Sequence, residues 1–257
     1  MLIDIHSHLD HPLIFDKVDI IVQNAKKVGI KHIITNGIDP NTNRISLELA
    51  EKYDIIECGL GLYPRSSLKQ EIDEGYDNIK SSYNVKKELE FITENKNNFL
   101  ALSEVGLDFV HGQDKEQISD FQKIIDLSEK IDKPIIIHSR KAEQKVIEML
   151  ESTKQKKIIL HCFCGKKSLV KKAIDKGWHF SIPTSVVRAE QFQIMVELAP
   201  LSQLFCETDS PFLSPFKDKL NEPAFVIESY KMISKIKKME LPEVEKNIYM
   251  NFQKVFK

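Results

Sequence analysis

Six side chains of the kinds that hold divalent cations stand far apart in this sequence: His6, His8, Glu104, His138, His161 and Asp209. His6 and His8 are two positions apart, so on an extended segment both point to the same side, with Asp4 beside them. Two imidazoles leaving a strand in that way can share one cation. Neutral imidazole combined with carboxylate suits Zn²⁺, Mn²⁺ or a related ion better than Ca²⁺. The lack of an accompanying thiolate set argues against a purely structural zinc site. Taken singly, each residue has an ordinary reading. Glu104 passes for a carboxylate paired with a lysine, and Asp209, in Glu207-Thr208-Asp209-Ser210-Pro211, for a turn or cap residue. His32, His111 and His179 are read in that ordinary way, and His11, in the first loop, as a solvated side chain in preference to a substrate contact. What separates the six is where the elements put them.

Short runs rich in Ile, Leu and Val fall near 2–6, 30–36, 55–61, 99–105, 133–138, 157–162, 179–183 and 204–209. They are continuously apolar, as parallel strands covered on both faces are. Amphipathic stretches near 16–28, 41–52, 76–97, 114–130, 141–152, 168–176, 188–198 and 223–237 alternate with them, and a last helix is expected near 243–255. Eight such alternations in 257 residues fit an α/β fold, a single (β/α)8 TIM-like barrel of roughly 250 residues. An open doubly wound sheet shares the same alternation. No low-complexity linker or internal repeat divides the chain, so 1–257 is read as one domain. In a barrel the site lies at the C-terminal ends of the strands. Each of the six falls at such an end, from strand 1 (His6, His8) to strand 8 (Asp209).

Apolar residues are 42% and charged residues 29% of the chain, and the formal net charge is −1. That excludes a global basic field of the kind that grips duplex DNA. A nucleic acid would be met transiently, through locally gathered charge. No run approaches the ~18 apolar residues of a membrane span, and the opening MLIDIHSHLD lacks the features of a secretory signal. A cytoplasmic protein with no membrane partner is expected, and its four cysteines are read as unpaired core or loop thiols. Nothing here speaks to oligomeric state.

The motifs, in order, resemble those of the TatD family of metal-dependent hydrolases, which is related to the amidohydrolase barrels. They are Asp4-Ile5-His6-Ser7-His8-Leu9-Asp10, Ser103-Glu104-Val105-Gly106-Leu107-Asp108, His138-Ser139-Arg140, His161-Cys162-Phe163-Cys164-Gly165, Glu207-Thr208-Asp209-Ser210-Pro211-Phe212-Leu213 and Asn221-Glu222-Pro223. Any one is weak; the ordered series spans nearly the whole chain. The resemblance implies two divalent ions (Zn, Mn or Mg), with His6, His8 and Asp209 on one, His138 and His161 on the other, and Glu104 bridging. It implies phosphodiester hydrolysis on DNA, often from a 3′ end. Three departures stand out. Ser103 replaces a usual Gly, Tyr63 in Gly61-Leu62-Tyr63-Pro64 replaces a usual His, and Lys217-Asp218-Lys219-Leu220 replaces a basic stretch ending in Arg. Tyr63 can donate a hydrogen bond but, with a reference pKa of ~10, is a poor base at neutral pH.

Two cations ~3.5–4 Å apart would acidify a shared water, and Asp209 is the natural acceptor for its proton, with Glu104 the second catalytic carboxylate. The chain has four arginines, each within about ten residues after a strand. Arg65 and Arg140, nearest their strand ends, are expected to contact substrate phosphate together with Tyr63; Arg44 and Arg188 are expected on helix surfaces. Two other readings share this metal set or this fold. One is an amidohydrolase-like enzyme cutting a cyclic amide, lactone or ester, disfavoured because Glu104 stands where a carbamylated lysine would be needed. The other is a non-catalytic binding barrel, which has no reason to gather six ligands.

Overall fold

The computed structural model describes residues 1–73 and 75–257. Eight strands, β1 (Leu2–Ser7), β2 (Ile30–Asn36), β3 (Ile56–Leu60), β4 (Ala101–Gly106), β5 (Ile135–His138), β6 (Ile158–Leu160), β7 (His179–Pro183) and β8 (Leu204–Glu207), pair in chain order, each parallel to the next. Every residue of β1, β4, β5, β6 and β8 is buried. The unbroken Ile-Ile-Ile and Ile-Ile-Leu runs therefore have apolar neighbours on both faces, which is why these strands do not alternate. β8 returns beside β1, and a parallel bridge joins Ser7 to Ser210. Two backbone bonds at that seam, Asp209 N–H to His6 O and His8 N–H to Ser210 O, are each 2.8 Å long. The expected barrel is thus present, and its closing seam ties the His6–His8 segment directly to Asp209.

The helices α1 (Val18–Lys27), α2 (Pro40–Lys52), α3 (Arg65–Asp73), α4 (Val85–Glu94), α5 (Lys115–Ile131), α6 (Glu143–Leu150), α7 (Lys167–Asp175), α8 (Glu190–Leu198), α9 (Ile227–Lys237) and α10 (Leu241–Phe256) surround the strands. Their starts follow local chemistry. Asp39 accepts from Thr42 N–H and Thr42 Oγ1 reaches back to Asp39 N, a capping box that opens α2 with Pro40 at its first turn.

One expectation fails here. The helix read over 76–97 occupies only Val85–Glu94, and an unexpected α3 precedes it. The apolar residues of 76–84 serve a different purpose from a helix stripe. Tyr76, Ile79 and Tyr83 pack with Ile38, Tyr63 and Leu68 into a second small core. Asn84 then caps α4 by accepting from Lys87 N–H at 3.1 Å. The segment after β3 is held over the mouth of the barrel, where Tyr76 donates to Asp10 and Asn78 to Asp10 O. Among the described residues no helix is long and apolar enough to cross a membrane.

Candidate metal centre

All six candidate ligands meet at the C-terminal mouth of the barrel. His6 lies within β1 and His8 just past it; Glu104 is two residues before the end of β4, His138 ends β5, His161 follows β6, and Asp209 is two past β8. The backbone is irregular where it presents them. The β1–β2 register shifts between Asp4 and Ser7, and the β4–β5 register between Leu102 and Val105, so bulges turn His6 and Glu104 into the mouth. Glu104 (φ 53°), Cys162 (φ 41°) and Asp209 (φ 55°) all have left-handed backbones. For side chains with a Cβ that costs on the order of 1–3 kcal/mol each, the strain that surrounding structure supports at functional sites. Gly106 (φ 145°) lets β4 pass β5, since a Cβ there would sit 2.0 Å from His138 O.

Three groups of potential ligand atoms form among the described residues, each with its atoms within 4.8 Å of one another; His6, His161 and Glu207 make one, overlapping the two that hold the remaining candidates. Of those two, one is His6, His8 and Asp209; the other is Glu104, His138 and His161. Glu104 stands between them, with Oε2 2.8 Å from His6 Nε2 and 3.9 Å from His161 Nε2, and Oε1 3.2 Å from His138 Nδ1. Asp209 Oδ1 lies 3.5 Å from His8 Nε2 and 3.9 Å from His6 Nε2. The His6 and His161 rings stack 3.7 Å apart. Nδ1 of His6 is buried without a partner, and His6 Nε2 and Glu104 Oε2, both buried, meet only each other. Buried imidazole nitrogens and carboxylate oxygens gathered so closely are costly unless a cation satisfies them, so the donor set fits divalent metal.

The electrostatics are those of tightly gathered acids and imidazoles. Burial opposes charge on His8, His161 and His138, but the carboxylates of Asp209, Glu104, Glu207 and Asp108 outweigh it. They raise His8 to about 9, His161 to about 10 and His138 above its ordinary value, so a cation would bind in exchange for protons. Burial lowers the pKa of His6, and the neighbouring His161 lowers it further, keeping His6 neutral as a ligand must be. Burial opposes ionisation of Asp209, but the imidazoles of His161, His8 and His6 outweigh it and bring the carboxyl to about 2. Glu104 is likewise held well below the usual carboxylate range, burial being overcome by His6, His161 and His138.

Outer partners fix the rings. His8 Nδ1 is 3.0 Å from Asn36 O, and His161 Nδ1 is 2.8 Å from Glu207 Oε2. Glu207 also accepts from Cys162 N–H at 3.0 Å, and it was not singled out from the sequence. His138 turns Nε2 towards Asp108 Oδ2 at 3.4 Å. Asp108, another residue missed, binds Arg140 Nε at 2.7 Å. A carboxylate within a motif gives no signal of which ring it will hold; only the strand order does.

A recess of about 390 Å³ opens above the cluster. Tyr63 and Arg140 line it, joined in one network: Arg140 Nη2 reaches Tyr63 Oη and Glu71 Oε1, each at 3.1 Å, and Tyr63 Oη lies 3.1 Å from Asp108 Oδ2. Burial raises the Tyr63 pKa well above the ordinary phenol range, so it stays a donor. Arg65 does not line this recess. It starts α3 facing α5, with Nε 3.0 Å from Asp120 and Nη2 3.2 Å from Glu116, because the acidic first turns of α5 neutralise it there. His11 is corrected as well: it is buried against Tyr76, with ring centroids 4.3 Å apart, and is not solvated. Its Nδ1 accepts from Leu13 N–H. The four cysteines are free, and Cys162 and Cys164 line the recess.

Residues 3–257 match the model of a family described as TatD-related DNase. An uncharacterised metal-dependent hydrolase of Methanocaldococcus jannaschii is 34% identical over 255 residues, covering 99% of this chain and 96% of that protein. The human protein named deoxyribonuclease TATDN3 is 31% identical over 263 residues, covering 99% and 94%. Among solved structures, a TatD homologue from Escherichia coli, YJJV, superposes with a TM-score of 0.86 at 22% identity, covering 99% of this chain and 97% of that one.

Proposed function

The chain belongs to the TatD-related DNase family of metal-dependent hydrolases, and from that premise we propose that it hydrolyses DNA phosphodiesters at strand ends with two divalent cations. The observation that carries this reading is Glu104 lying between two ligand groups, His6–His8–Asp209 and His138–His161, with its Oε2 meeting only His6 Nε2 and with His6 Nδ1 unpartnered. Bound there, divalent cations would polarise a phosphoryl oxygen and acidify water.

The chain's own residues do the rest. Asn36 O and Glu207 take the Nδ1 protons of His8 and His161 and so leave both Nε2 atoms free to bind. Asp209 is ionised at neutral pH and 16% exposed at the mouth, placed to accept the proton of the attacking water. Arg140 is held by Asp108 and Glu71 yet still lines the recess, so it orients a phosphate without carrying a bare charge. A recess of about 390 Å³ has room for a terminal nucleotide, which supports attack at a strand end.

The test is a panel of single-stranded DNA, duplex DNA, RNA and bis(4-nitrophenyl) phosphate, each with Mg²⁺, Mn²⁺ and Zn²⁺. Stepwise release of mononucleotides from single-stranded DNA is expected, abolished by a chelator and restored by added cation. Hydrolysis of a lactone or cyclic amide, with every phosphodiester left intact under all three cations, would overturn the reading.

A further inference from the structure

The arginines sort themselves by partner. Arg44 pairs with Glu88, Arg65 with Glu116 and Asp120, and Arg140 with Asp108 and Glu71. Arg188 has no carboxylate within 4.0 Å among the described residues. Its Nη1 donates to Ser214 O at 2.6 Å, an exposed bond, and the remaining guanidinium N–H groups stay available. A guanidinium held by one backbone carbonyl is oriented without being neutralised.

Ser214 belongs to the loop that leaves β8 through Asp209 and continues to Asn221. Its first part walls the recess, where Phe212 and Leu213 are lining residues. The loop is tied down on both sides: Thr184 Oγ1 donates to Leu213 O at 2.9 Å, and Asn221 Nδ2 donates to Thr208 O at 2.7 Å and to Thr184 Oγ1 at 2.9 Å. Three residues beyond Leu213, at most ~11 Å along the chain, Phe216 is 42% exposed. The edge-to-face contact with Phe225, centroids 4.9 Å apart, steadies its ring, and Lys219 Nζ lies 5.7 Å from its centroid. Lys217 and Lys219 are both exposed. An exposed aromatic ring with Lys219 beside it, Lys217 and Asp218 next in the chain and Arg188 fixed to Ser214 two residues earlier is the combination that binds a flexible single strand: a base on the ring and phosphates on the cations.

We propose that Arg188 and the 214–219 loop form a second subsite for single-stranded nucleic acid, outside the recess, where Phe216 stacks a base and Arg188 and Lys219 hold the adjoining phosphates. This rests on the phosphodiesterase reading above and specifies how the strand behind the reacting end is held. It also predicts a preference for substrates long enough to reach from the metal cluster to Phe216.

The test uses metal-loaded protein and phosphorothioate-blocked oligothymidylates, one of about twelve nucleotides and one dinucleotide, with affinity read by fluorescence anisotropy. Phe216→Ala should weaken the long strand roughly tenfold or more, and Phe216→Trp should restore it. Arg188→Gln should reduce the slope of log affinity against log salt by about 0.7, one phosphate contact. In all three variants dinucleotide affinity and bis(4-nitrophenyl) phosphate turnover should match the wild type. Unchanged long-strand binding in Phe216→Ala and Arg188→Gln would overturn the subsite, as would equal losses on the long strand and the dinucleotide. So would a shift in sedimentation that assigns Phe216 to contact with a second copy. Wild type that hydrolyses the small ester but binds no oligonucleotide overturns the subsite alone. Wild type that binds the strand through Phe216 but hydrolyses no phosphodiester leaves the subsite standing and sinks the reaction.

Discussion

At the scale of single residues, what matters is which atoms are left free and which are tied. Glu207 takes His161 Nδ1 at 2.8 Å and so leaves Nε2 to face the cluster, and Glu207→Gln should weaken that orientation. A loss of ~10–100-fold in metal affinity is expected, measured by competition with a chelating dye. Unchanged affinity would show that Glu207 does not hold the ring. Asp209→Asn keeps the shape of the side chain but loses the ionised oxygen and its basicity, so it should lower both metal occupancy and turnover, the latter by at least ~10²-fold. Near-normal hydrolysis at full loading would contradict the role given to Asp209. The six candidate ligands were legible in the sequence because their types and strand-end positions announce them. Glu207, Asp108 and the carbonyl of Asn36 were not, because each acts on a ring supplied by a different strand. Arg65 misled for the same reason: its neutralising partner Asp120 lies 55 positions away on α5.

At the scale of elements, strands were easy to read and the cover over the mouth was not. Ile135–His138 and Ile158–Leu160 are short, Ile-rich runs, too brief for a helix turn pattern and suited to strands covered on both faces. The stretch 76–84 carries apolar residues at helix-like spacing, yet Tyr76, Ile79 and Tyr83 are spent on a small core against Ile38 and Tyr63. Tertiary packing overrides local pattern there. The bulged ends of β1 and β4 are equally invisible in the sequence, although Gly106 marks one of them. Gly106→Ala would put a methyl group 2.0 Å from His138 O on a backbone at φ 145°. It should cost at least ~2 kcal/mol in urea unfolding and displace both Glu104 and His138. A Gly106→Ala variant as stable as wild type would mean that the close passage of β4 and β5 is not as described.

At the scale of the whole molecule, closure of the barrel brings β8 against β1 and so joins residues 6 and 209 through a 2.8 Å backbone bond. The fold and the site are therefore one cooperative object, and its stability should respond to pH away from the cluster as well. His179, at the start of β7, is lowered by burial from 6.5 to about 4, and His11 is lowered to about 4 by burial first and by His8 second. Below pH 6.5 the unfolded chain takes up protons that the folded imidazoles refuse, so stability falls as pH drops from 6.5 towards 4 and is flat in this respect outside that window. Asp4 and Asp10, raised by burial to about 8 and about 6, bind protons in the folded chain over the same window and oppose that slope. The histidine contribution is therefore read as a difference: in urea with chelator His179→Phe should lose less stability, or gain more, than wild type between pH 6.5 and 4. An identical pH dependence would show that His179 does not titrate as its burial requires.

The central claim is that two cations share Glu104 at the barrel mouth. Anomalous diffraction from Mn²⁺- or Zn²⁺-loaded crystals tests it directly. Two peaks ~3.5–4 Å apart are expected, one contacting His6, His8 and Asp209, the other His138 and His161, with Glu104 between them. A single peak, peaks bound elsewhere, or no peak under saturating cation would contradict it.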